Sequence, residues 1–473
     1  MSYNESMDIA PQGATYESFP RIETGNRQAD QILGGGFPAN SINVVMGQPG
    51  TGKTIFAEQL LYHNAGSERP VIYVTTLSES MSKVVSYVQR FDFFDDRLLG
   101  SSIQYDDISR LLTTNGPAAL VPWLADVIKT RLPRIIIIDS FRAIHDLATS
   151  PSEMRRLIAE LGGLLGAFEV TTFLLGEYTS GDIDRFPEFA LADGIIELAR
   201  QPLTKRDERL FRVLKLRGSA YKEGQHAFRI TASGIELYPR LVTPRVPEGY
   251  SPRLERIKTG VPGLDDMLDG GLWLGSATLL VGPTGSGKTT LGLQFALEGI
   301  REAQASLYVN FQENPAQLGR SINGLGMTPQ EARSRGLHLM YVSPVELQID
   351  SIIGEVFELV RSGAIQRVVI DAVGDLAAAA YDPQRLHDYI YSFVQHLAVN
   401  GITSVLTFES GDAYTGTAQH EARFSYMSDN VIVIGLGGEH KIKRTIRVVK
   451  TRNSAHDHRV RTLEIGEKGG RVL

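Results

Sequence analysis

The stretch Gly282-Pro-Thr-Gly-Ser-Gly-Lys288-Thr289-Thr290 decides the fold, because it matches the pattern G-x-x-x-x-G-K-[ST] at every fixed position. A strand-like apolar run, residues 277–281, precedes it, and an amphipathic run, residues 291–300, follows it. Strand, loop and helix in that order are the context in which this motif forms a phosphate-binding loop, or P-loop. A glycine-rich turn that merely begins a helix is disfavoured, because the lysine, the threonine and both flanks are all in place.

The residue types in this loop suit a nucleoside triphosphate and its metal. Glycines let backbone N–H groups turn inward to phosphate oxygens, and the helix N-terminus adds its positive end. The lysine neutralises the outer phosphates, and the threonine hydroxyl that follows it holds Mg²⁺. The predicted cofactors are therefore ATP and Mg²⁺. The predicted nucleotide-binding residues of this loop are Gly282, Thr284, Gly285, Ser286, Gly287, Lys288, Thr289 and Thr290.

A second P-loop stands 235 residues earlier, at Gly47-Gln-Pro-Gly-Thr-Gly52-Lys53-Thr54. The same offset of 235 residues separates Thr24-Gly25 from Thr259-Gly260, and Lys215-Leu-Arg217-Gly-Ser219 from Lys450-Thr-Arg452-Asn-Ser454. A constant offset along the whole chain indicates one domain duplicated in tandem, with two nucleotide sites. The predicted nucleotide-binding residues of the first site are Gly47, Gly50, Thr51, Gly52, Lys53 and Thr54.

Strand-like and helix-like runs alternate in each half, which predicts an α/β fold with two tandem P-loop domains. Each domain is expected to be a mostly parallel twisted sheet with helices on both faces, and the alternating runs 209–216 and 444–450 suit antiparallel edge strands. The predicted domains are 21–238 and 255–473. Residues 1–20 are polar and predict a disordered tail, and residues 239–254, with four prolines, predict a semi-rigid linker.

Composition narrows the class of protein. Across 473 residues, a hydrophobic fraction of 42% and a charged fraction of 22% are those of a globular protein. The net charge of −6 gives no general attraction to nucleic acid, and the absence of cysteine excludes disulfide and thiolate-metal chemistry. No apolar run is long enough to span a membrane, and residues 1–16 lack a signal-peptide core. These features predict a cytoplasmic protein without a membrane partner.

Two buried strand patterns end in aspartate, Ile135-Ile-Ile-Ile138-Asp139 and Val368-Val-Ile370-Asp371. Such a carboxylate lies in the crevice where α/β sheets bind ligands, as a Walker B aspartate does beside a P-loop. An aspartate after an apolar strand is also a common helix N-cap, but the distance from the P-loop favours the Walker B role. The predicted metal-binding residues are Thr54, Asp139, Thr289 and Asp371.

Hydrolysis needs a group that orients or deprotonates the attacking water, and a glutamate just after the strand that follows the P-loop helix would supply it. The candidates are Glu79 in the first half and Glu313, preceded by Gln312, in the second. A surface glutamate that caps the next helix is an equally weighted alternative.

Lys215 and Arg217 stand two residues apart on a predicted strand, so both side chains leave one face and can converge on an anion. Lys450 and Arg452 repeat this arrangement at the duplication offset. A solvated sheet face is the alternative for any basic pair. The repetition favours a role directed at phosphate.

The chain resembles the KaiC family, the double-domain branch of RecA-like ATPases. The resemblance extends from about residue 21 to residue 473. It depends on Ile32-Leu-Gly-Gly-Gly-Phe37 and Met267-Leu-Asp-Gly-Gly-Leu272, on both Walker motifs, and on the two K-x-R-x-S elements. It implies a hexameric double ring with ATP at the subunit interfaces, where the Lys and Arg of one protomer reach the phosphates bound by its neighbour. It also implies slow ATP hydrolysis and serine/threonine autokinase chemistry in the second domain.

Three features depart from the family pattern. The family's adjacent glutamate pair is Ser78-Glu79 and Gln312-Glu313 here, and its Ser-Thr phosphorylation pair aligns with Ser425-Tyr426. Ser425 is therefore the candidate phosphosite, although a polar residue leading into a strand is the simpler interpretation. The chain stops at Leu473, before the family's C-terminal tail that binds KaiA, so a KaiA-type partner is not expected.

These patterns favour a KaiC-like, nucleotide-driven signalling or timing switch: a homohexamer whose state an unidentified protein partner reads. A RecA-like motor on nucleic acid is the first alternative, disfavoured because the chain has neither a basic tract nor a cluster of stacking aromatics. The second alternative is a scaffold that binds ATP without turning it over, which the altered glutamate pairs favour.

Overall fold

The computed structural model describes residues 20–66, 68–77, 81–202, 207–251, 253–343, 348–376, 383–410, 426–437 and 443–473. The chain divides between Arg240 and Leu241 into two compact units. Within the described residues, each unit holds one nine-stranded sheet and one small two-stranded sheet. The predicted α/β fold with one large sheet in each half is confirmed.

The first unit begins with the two-stranded sheet and ends with an antiparallel meander. Its strands are β1 (Arg21–Ile22), β2 (Phe37–Pro38), β3 (Ile42–Met46), β4 (Val71–Thr75), β5 (Ile103–Asp107), β6 (Ile135–Asp139), β7 (Thr171–Gly176), β8 (Gly194–Pro202), β9 (Asp207–Leu216), β10 (Gln225–Thr231) and β11 (Gly234–Tyr238). Its α-helices are α1 (Arg27–Leu33), α2 (Lys53–Asn64), α3 (Met81–Val88), α4 (Ser109–Asn115), α5 (Leu120–Arg131), α6 (Phe141–Ile144), α7 (Pro151–Ala167) and α8 (Glu188–Leu191).

The second unit repeats this order of strands. Its strands are β12 (Arg256–Ile257), β13 (Leu272–Trp273), β14 (Ala277–Gly282), β15 (Ser306–Asn310), β16 (Leu337–Tyr341), β17 (Arg367–Asp371), β18 (Thr403–Glu409), β19 (Asn430–Gly437), β20 (Lys443–Thr451), β21 (Arg461–Gly466) and β22 (Gly469–Val472). Its α-helices are α9 (Leu264–Met267), α10 (Lys288–Arg301), α11 (Pro315–Gly324), α12 (Pro329–Ser334), α13 (Ile349–Ser362), α14 (Val373–Leu376) and α15 (Pro383–Val399).

Each large sheet is parallel over most of its width and antiparallel at one edge. The strand order is β11-β10-β9-β8-β3-β7-β6-β4-β5 in the first unit and β22-β21-β20-β19-β14-β18-β17-β15-β16 in the second. The predicted antiparallel runs are β9 and β20, which pair antiparallel with β8 and β19. The P-loop strand, β3 or β14, lies between strands that come much later in the chain. This is the switch point at which open α/β sheets bind ligands beyond the carboxyl ends of their strands.

The central strands are apolar throughout because helices cover both faces of the sheet. In β6, Ile135 and Ile137 pack on the face that α2 covers, and Ile136 and Ile138 pack on the face that α5 and α7 cover. All four side chains are fully buried. Burial of each contributes roughly 2 kcal/mol. The continuous apolar run is therefore the pattern of a parallel strand buried on both sides.

The predicted linker, where the structure describes it, lies against the second unit. Leu241 packs on the hydrophobic core that α15 covers. The backbone carbonyl of Val242 accepts a hydrogen bond from His396 at 2.9 Å, and Tyr250 donates its hydroxyl to the carbonyl of Ala398 at 3.2 Å. These contacts hold the stretch before β12 on α15.

A fully buried carboxyl group distinguishes the P-loop helix of the first unit from that of the second. Glu58, on α2, is fully buried, and its Oε2 accepts a hydrogen bond from the hydroxyl of Tyr105 at 2.8 Å. Among the described residues, its Oε1 has no hydrogen-bond partner. Burial raises the pKa of Glu58 to about 8. In the second unit, Leu293 stands at the equivalent helix position and Leu339 at the equivalent strand position.

The raised pKa of Glu58 makes the stability of the first unit depend on pH. Between about pH 4.5 and 8 the folded state holds a proton that the unfolded state has released. Stability therefore falls as pH rises through this window, by at most about 1.4 kcal/mol per pH unit. Glu58→Gln removes the titrating group, so its stability relative to the parent protein should increase steadily from pH 5 to pH 8 in urea denaturation. The control is Glu160→Gln, on the exposed side of α7; a stability difference independent of pH would contradict the prediction.

Candidate nucleotide sites

The P-loop glycines adopt backbone conformations that other residues rarely take. Gly50 and Gly52 have φ angles of 75° and 103°, and Gly285 and Gly287 have 74° and 106°. A Cβ at Gly50 or Gly285 would meet nothing within 4 Å, so the conformation rather than a lack of space requires glycine there. The predicted residues lie where β3 passes into α2 and β14 into α10: Gly47, Gly50, Thr51, Gly52, Lys53, Thr54, Gly282, Thr284, Gly285, Ser286, Gly287, Lys288, Thr289 and Thr290.

Each P-loop lysine folds back over its own loop. The Lys53 Nζ donates to the carbonyl of Gly47 at 2.8 Å, and the Lys288 Nζ donates to the carbonyl of Gly282 at 2.8 Å. Burial lowers the pKa of both lysines, whereas nearby carboxylates act in the opposite direction. Neutral carbonyls are weaker partners for an ammonium group than phosphate oxygens are. The outer phosphates of a nucleotide would therefore be better ligands than the partners these lysines now have.

The predicted metal-binding residues meet in pairs. The Thr54 hydroxyl donates to Asp139 Oδ2 at 3.0 Å, and the Thr289 hydroxyl donates to Asp371 Oδ2 at 2.8 Å. Hydroxyl and carboxylate oxygens suit Mg²⁺, which takes one or two protein ligands and completes its shell with phosphates and water. Consistent with that sparse mode, no group of three or more His, Cys, Asp or Glu within the described ranges is placed to hold a metal alone. The N-cap of α6 is Ser140, not Asp139.

Buried tyrosines hold these aspartates in place. The hydroxyl of Tyr73 donates to Asp139 Oδ2 at 2.6 Å, and that of Tyr308 donates to Asp371 Oδ2 at 2.7 Å. Burial, followed by the adjacent carboxylate, raises the pKa of both tyrosines well above its usual range. In the second unit Thr407 also donates to Asp371. Sequence reasoning missed both tyrosines, which stand at the middle of β4 and β15.

In the second unit, the side chains of the adjacent residues Gln312 and Glu313 have different surroundings. The side-chain amide of Gln312 donates to Asp375 on α14 at 3.1 and 3.2 Å. Among the described residues, Glu313 Oε2 is buried without a hydrogen-bond partner. Burial, and then the charge of Asp371, raises the pKa of Glu313. Of these two adjacent residues, Glu313 is the one whose side chain feels the charge of the Walker B aspartate, whereas the Gln312 amide is bonded to Asp375.

The capping alternative for Glu313 is wrong, because another residue caps the helix. Asn314 is the N-cap of α11, and its side chain accepts from the backbone N–H groups of Ala316 and Gln317. In return, the side-chain oxygen of Gln317 accepts a hydrogen bond from the backbone N–H of Asn314. In the first unit, Ser78 and Glu79 lie outside the described residues.

A further carboxylate borders each P-loop. Glu177 directly follows β7 and Glu409 ends β18, the strand that pairs with the P-loop strand. Glu409 accepts a hydrogen bond from the Thr284 hydroxyl, and its charge opposes the lowering of the Lys288 pKa, as Glu177 does for Lys53. Sequence reasoning missed this pair. Each glutamate stands 38 residues after its Walker B aspartate, and that equal spacing was the available signal.

The arginines of the K-x-R-x-S elements lie at the opposite end of the P-loop strand. Arg217 Nη1 is 3.3 Å from Asp193 Oδ1, and Asp193 Oδ2 accepts the backbone N–H of Ile42, the first residue of β3. Arg452 Nη1 is 3.6 Å from Asp429 Oδ1. The other carboxylate oxygen of Asp429, Oδ2, accepts a hydrogen bond from the backbone N–H of Ala277, the first residue of β14. The P-loops follow the other ends of these strands. Neither arginine therefore joins the P-loop of its own unit.

The lysines of these elements lie on the same side of the sheet as the arginines. The Lys450 Nζ donates to the carbonyl of Ser428 at 2.8 Å. Burial, and then the charge of the neighbouring arginine, lowers the pKa of Lys215 and of Lys450. The candidate phosphosite Ser425 lies outside the described residues. The carbonyl of Tyr426, next to it, accepts a hydrogen bond from Arg452.

Two P-loops, each with a paired threonine and aspartate at the switch point of its sheet, define a tandem P-loop ATPase of the RecA-like class. The family model described as "ATPase: KaiC" matches residues 22–242 and again residues 257–473. The chain belongs to the KaiC ATPase family.

Similar proteins include circadian clock oscillator proteins. One from Synechocystis sp., named KaiC 1, is 26% identical over 464 residues, covering 95% of this chain and 88% of the relative. KaiC proteins of Picosynechococcus sp. and Rippkaea orientalis are 28% and 27% identical, each covering 96% of this chain and 89% of the relative. No helix in the described part of the chain is long and apolar enough to cross a membrane.

Glu313→Gln should lower ATP turnover in the second domain by about 10²-fold, because Gln cannot accept a proton from the attacking water. Nucleotide binding should persist, since the P-loop is intact. Turnover is measured in a Lys53→Ala background, where only the second site binds nucleotide. The control is Glu355→Gln, on the exposed side of α13. Equal turnover in the Glu313 variant and its control would show that Glu313 is not the general base.

Proposed function

We propose that this protein is a nucleotide-driven switch: a homohexameric double ring with two ATP sites per chain, each completed by the neighbouring chain. Slow, Mg²⁺-dependent ATP hydrolysis changes the state of the ring. A protein partner reads that state. The names of the similar proteins, circadian clock oscillators, suggest a signalling or timing role for the switch.

The single observation that carries this proposal is the place of Arg217 and Arg452. Each is tied by an aspartate to the first residue of its P-loop strand, whereas the P-loop follows the last. A strand of five residues, such as β3, spans roughly 16 Å. Both arginines are exposed, with 64% and 47% of the side chain accessible. A cation so placed supplies charge to another chain's nucleotide rather than to its own.

In the second unit, each site residue would have its own role in hydrolysis. Lys288 would neutralise the outer phosphates, and Thr289 with Asp371 would hold Mg²⁺, which when bound offsets the charge on the transferring group. Glu313 would accept the proton of the attacking water. The neighbour's Lys450 and Arg452 would stabilise the charge that develops in the transition state. Gln312, held by Asp375, cannot act as a base, which fits slow turnover.

Two alternatives remain open to test. A scaffold that binds ATP without hydrolysing it would show assemblies with two nucleotides per chain and no turnover. A motor on nucleic acid would show turnover stimulated by DNA in a salt-dependent manner. Glu313 Oε2, which has no hydrogen-bond partner among the described residues, lies near the charge of Asp371 and favours the hydrolysing switch over the scaffold.

Mixing two inactive variants tests the shared site. Arg452→Ala should retain two nucleotides per chain but lose second-domain turnover by about 10³-fold, because the charge it supplies acts in the transition state. Lys288→Ala should lose the second nucleotide. When the two variants are mixed and reassembled, some interfaces pair an intact P-loop with an intact arginine, and turnover should exceed the mean of the separate proteins.

If Arg452 acts within its own chain, mixing recovers nothing. Native mass measurement of the same samples with ATP, ADP and no nucleotide reports whether hexamers form at all. Monomers with full turnover would overturn the proposed assembly.

Serine autophosphorylation in the second domain is a finer proposal. The observation in its favour is that the Arg452 guanidinium is bonded to the carbonyl of Tyr426, the residue after Ser425. Phosphoryl transfer needs chiefly in-line positioning and charge neutralisation, which such an arginine provides. Incubation with Mg-ATP should place phosphate on Ser425, and Lys288→Ala should abolish it. An unmodified Ser425 peptide in ATP-bound hexamers would remove kinase activity from the proposal.

A further inference from the structure

The first strand of each unit, β1 or β12, begins with an arginine that contacts the end of the K-x-R-x-S element. In the first unit, Arg21 donates from Nη1 to Ser219 Oγ at 3.1 Å and from Nη2 to the carbonyl of Gly218 at 3.1 Å. In the second unit, Arg256 donates from Nη2 to Ser454 Oγ at 2.6 Å. The serine stands two residues after the arginine proposed to act across the interface. The contact joins residues 198 apart in the chain, in both units.

Each of these arginines is itself held by the glycine-rich loop between the first helix and second strand of its unit. Arg21 Nη1 donates to the carbonyl of Gly36 at 2.9 Å. Arg256 Nη1 donates to the carbonyls of Leu268 and Gly271 at 2.8 and 2.7 Å, and its guanidinium carbon lies 3.9 Å from the ring centre of Trp273. A planar guanidinium presents five donors at fixed angles and can join separate backbone segments in this way, whereas the three donors of an ammonium group all lie on one nitrogen.

The backbone that carries the interfacial arginine turns sharply just after it. Arg217 and Arg452 directly follow the last residues of β9 and β20, and the backbone N–H of each donates to the backbone carbonyl of its aspartate at 2.9 Å. The next residue, Gly218 or Asn453, has a φ of 68° or 55°, so the chain turns away at once. Glycine and asparagine are the residues that tolerate this conformation best. After this turn, the contact with Arg21 or Arg256 is a further anchor for the backbone that carries the arginine.

We infer that Arg21 and Arg256 are positioning residues for the interfacial arginines, holding the turn of each K-x-R-x-S element so that Arg217 and Arg452 meet the neighbour's phosphates. This inference rests on the proposed function. It assigns a role in hydrolysis to residues outside the P-loop and the Walker B strand of their own unit. The defect caused by losing Arg256 then occurs in the neighbour's second site, while the variant's own P-loop still binds.

Arg256→Ala and Ser454→Ala test the inference in the second unit. Ser454→Ala keeps the bonds of Arg256 to its loop and removes its bond to the turn, together with the local bond from Ser454 Oγ to the carbonyl of Ala455, so folding is less disturbed than in Arg256→Ala. Both variants should keep two nucleotides per chain and lose second-domain turnover, by up to about 10²-fold for Arg256→Ala, because misplacement of about 1 Å has that effect. Arg256→Lys should recover little. Arg361→Ala, in an exposed ion pair on α13, is the control.

The deciding measurement is mixing with Lys288→Ala chains, alongside Arg452→Ala as reference. Recovery of turnover by Arg256→Ala, as by Arg452→Ala, is the expected result. Loss of the second nucleotide in both variants, unchanged turnover, or recovery for Arg452→Ala alone would each overturn the positioning role while leaving the shared site intact. If Arg452→Ala also fails to recover, the shared site itself is wrong and the positioning role falls with it.

Discussion

The hydrogen bond from the first backbone N–H of each P-loop strand to an aspartate carboxylate governs how the rest of the site is arranged. Asp193 accepts it from Ile42 at 3.1 Å, and Asp429 accepts its counterpart at 2.9 Å. Because the same carboxylate faces the arginine of the K-x-R-x-S element, that arginine stays at the amino edge of the sheet. The P-loop lies at the carboxyl end of the same strand, so in the proposed ring the P-loop and the arginine of one chain belong to different sites.

At the carboxyl ends of the strands, neutral donors orient the Walker B aspartates. Asp371, which is buried, accepts hydrogen bonds from the hydroxyl groups of Thr289, Tyr308 and Thr407 and a longer one from the amide of Asn310. A buried carboxylate is costly unless hydrogen bonds compensate for lost water, and these donors supply that compensation. The oxygens are therefore oriented before any nucleotide arrives. A site arranged in advance needs little reorganisation during the reaction, which is the main source of electrostatic catalysis.

The two units share the contacts of the nucleotide site but differ in one part of the hydrophobic core. The threonine–aspartate pair, the tyrosine behind it and the arginine–serine contact have the same form in both. Behind the first Walker B strand, Glu58 and Tyr105 form a buried polar pair, and two leucines fill the equivalent space in the second unit. The same part of the core therefore holds a polar pair in the first unit and apolar side chains in the second.

The sequence by itself determined the duplication, both P-loops, the Walker B strands and the α/β class, because these depend on local patterns: fixed glycine spacing and runs of apolar residues. It left the two roles of Glu313 equally weighted, and it missed Glu177, Glu409 and both site tyrosines. Only the tertiary structure showed that Asn314 caps α11, and that Arg21 contacts Ser219 across 198 residues. The contact across 198 residues has no local signature, because it forms only when the fold brings β1 and the turn after β9 together from opposite ends of the first unit.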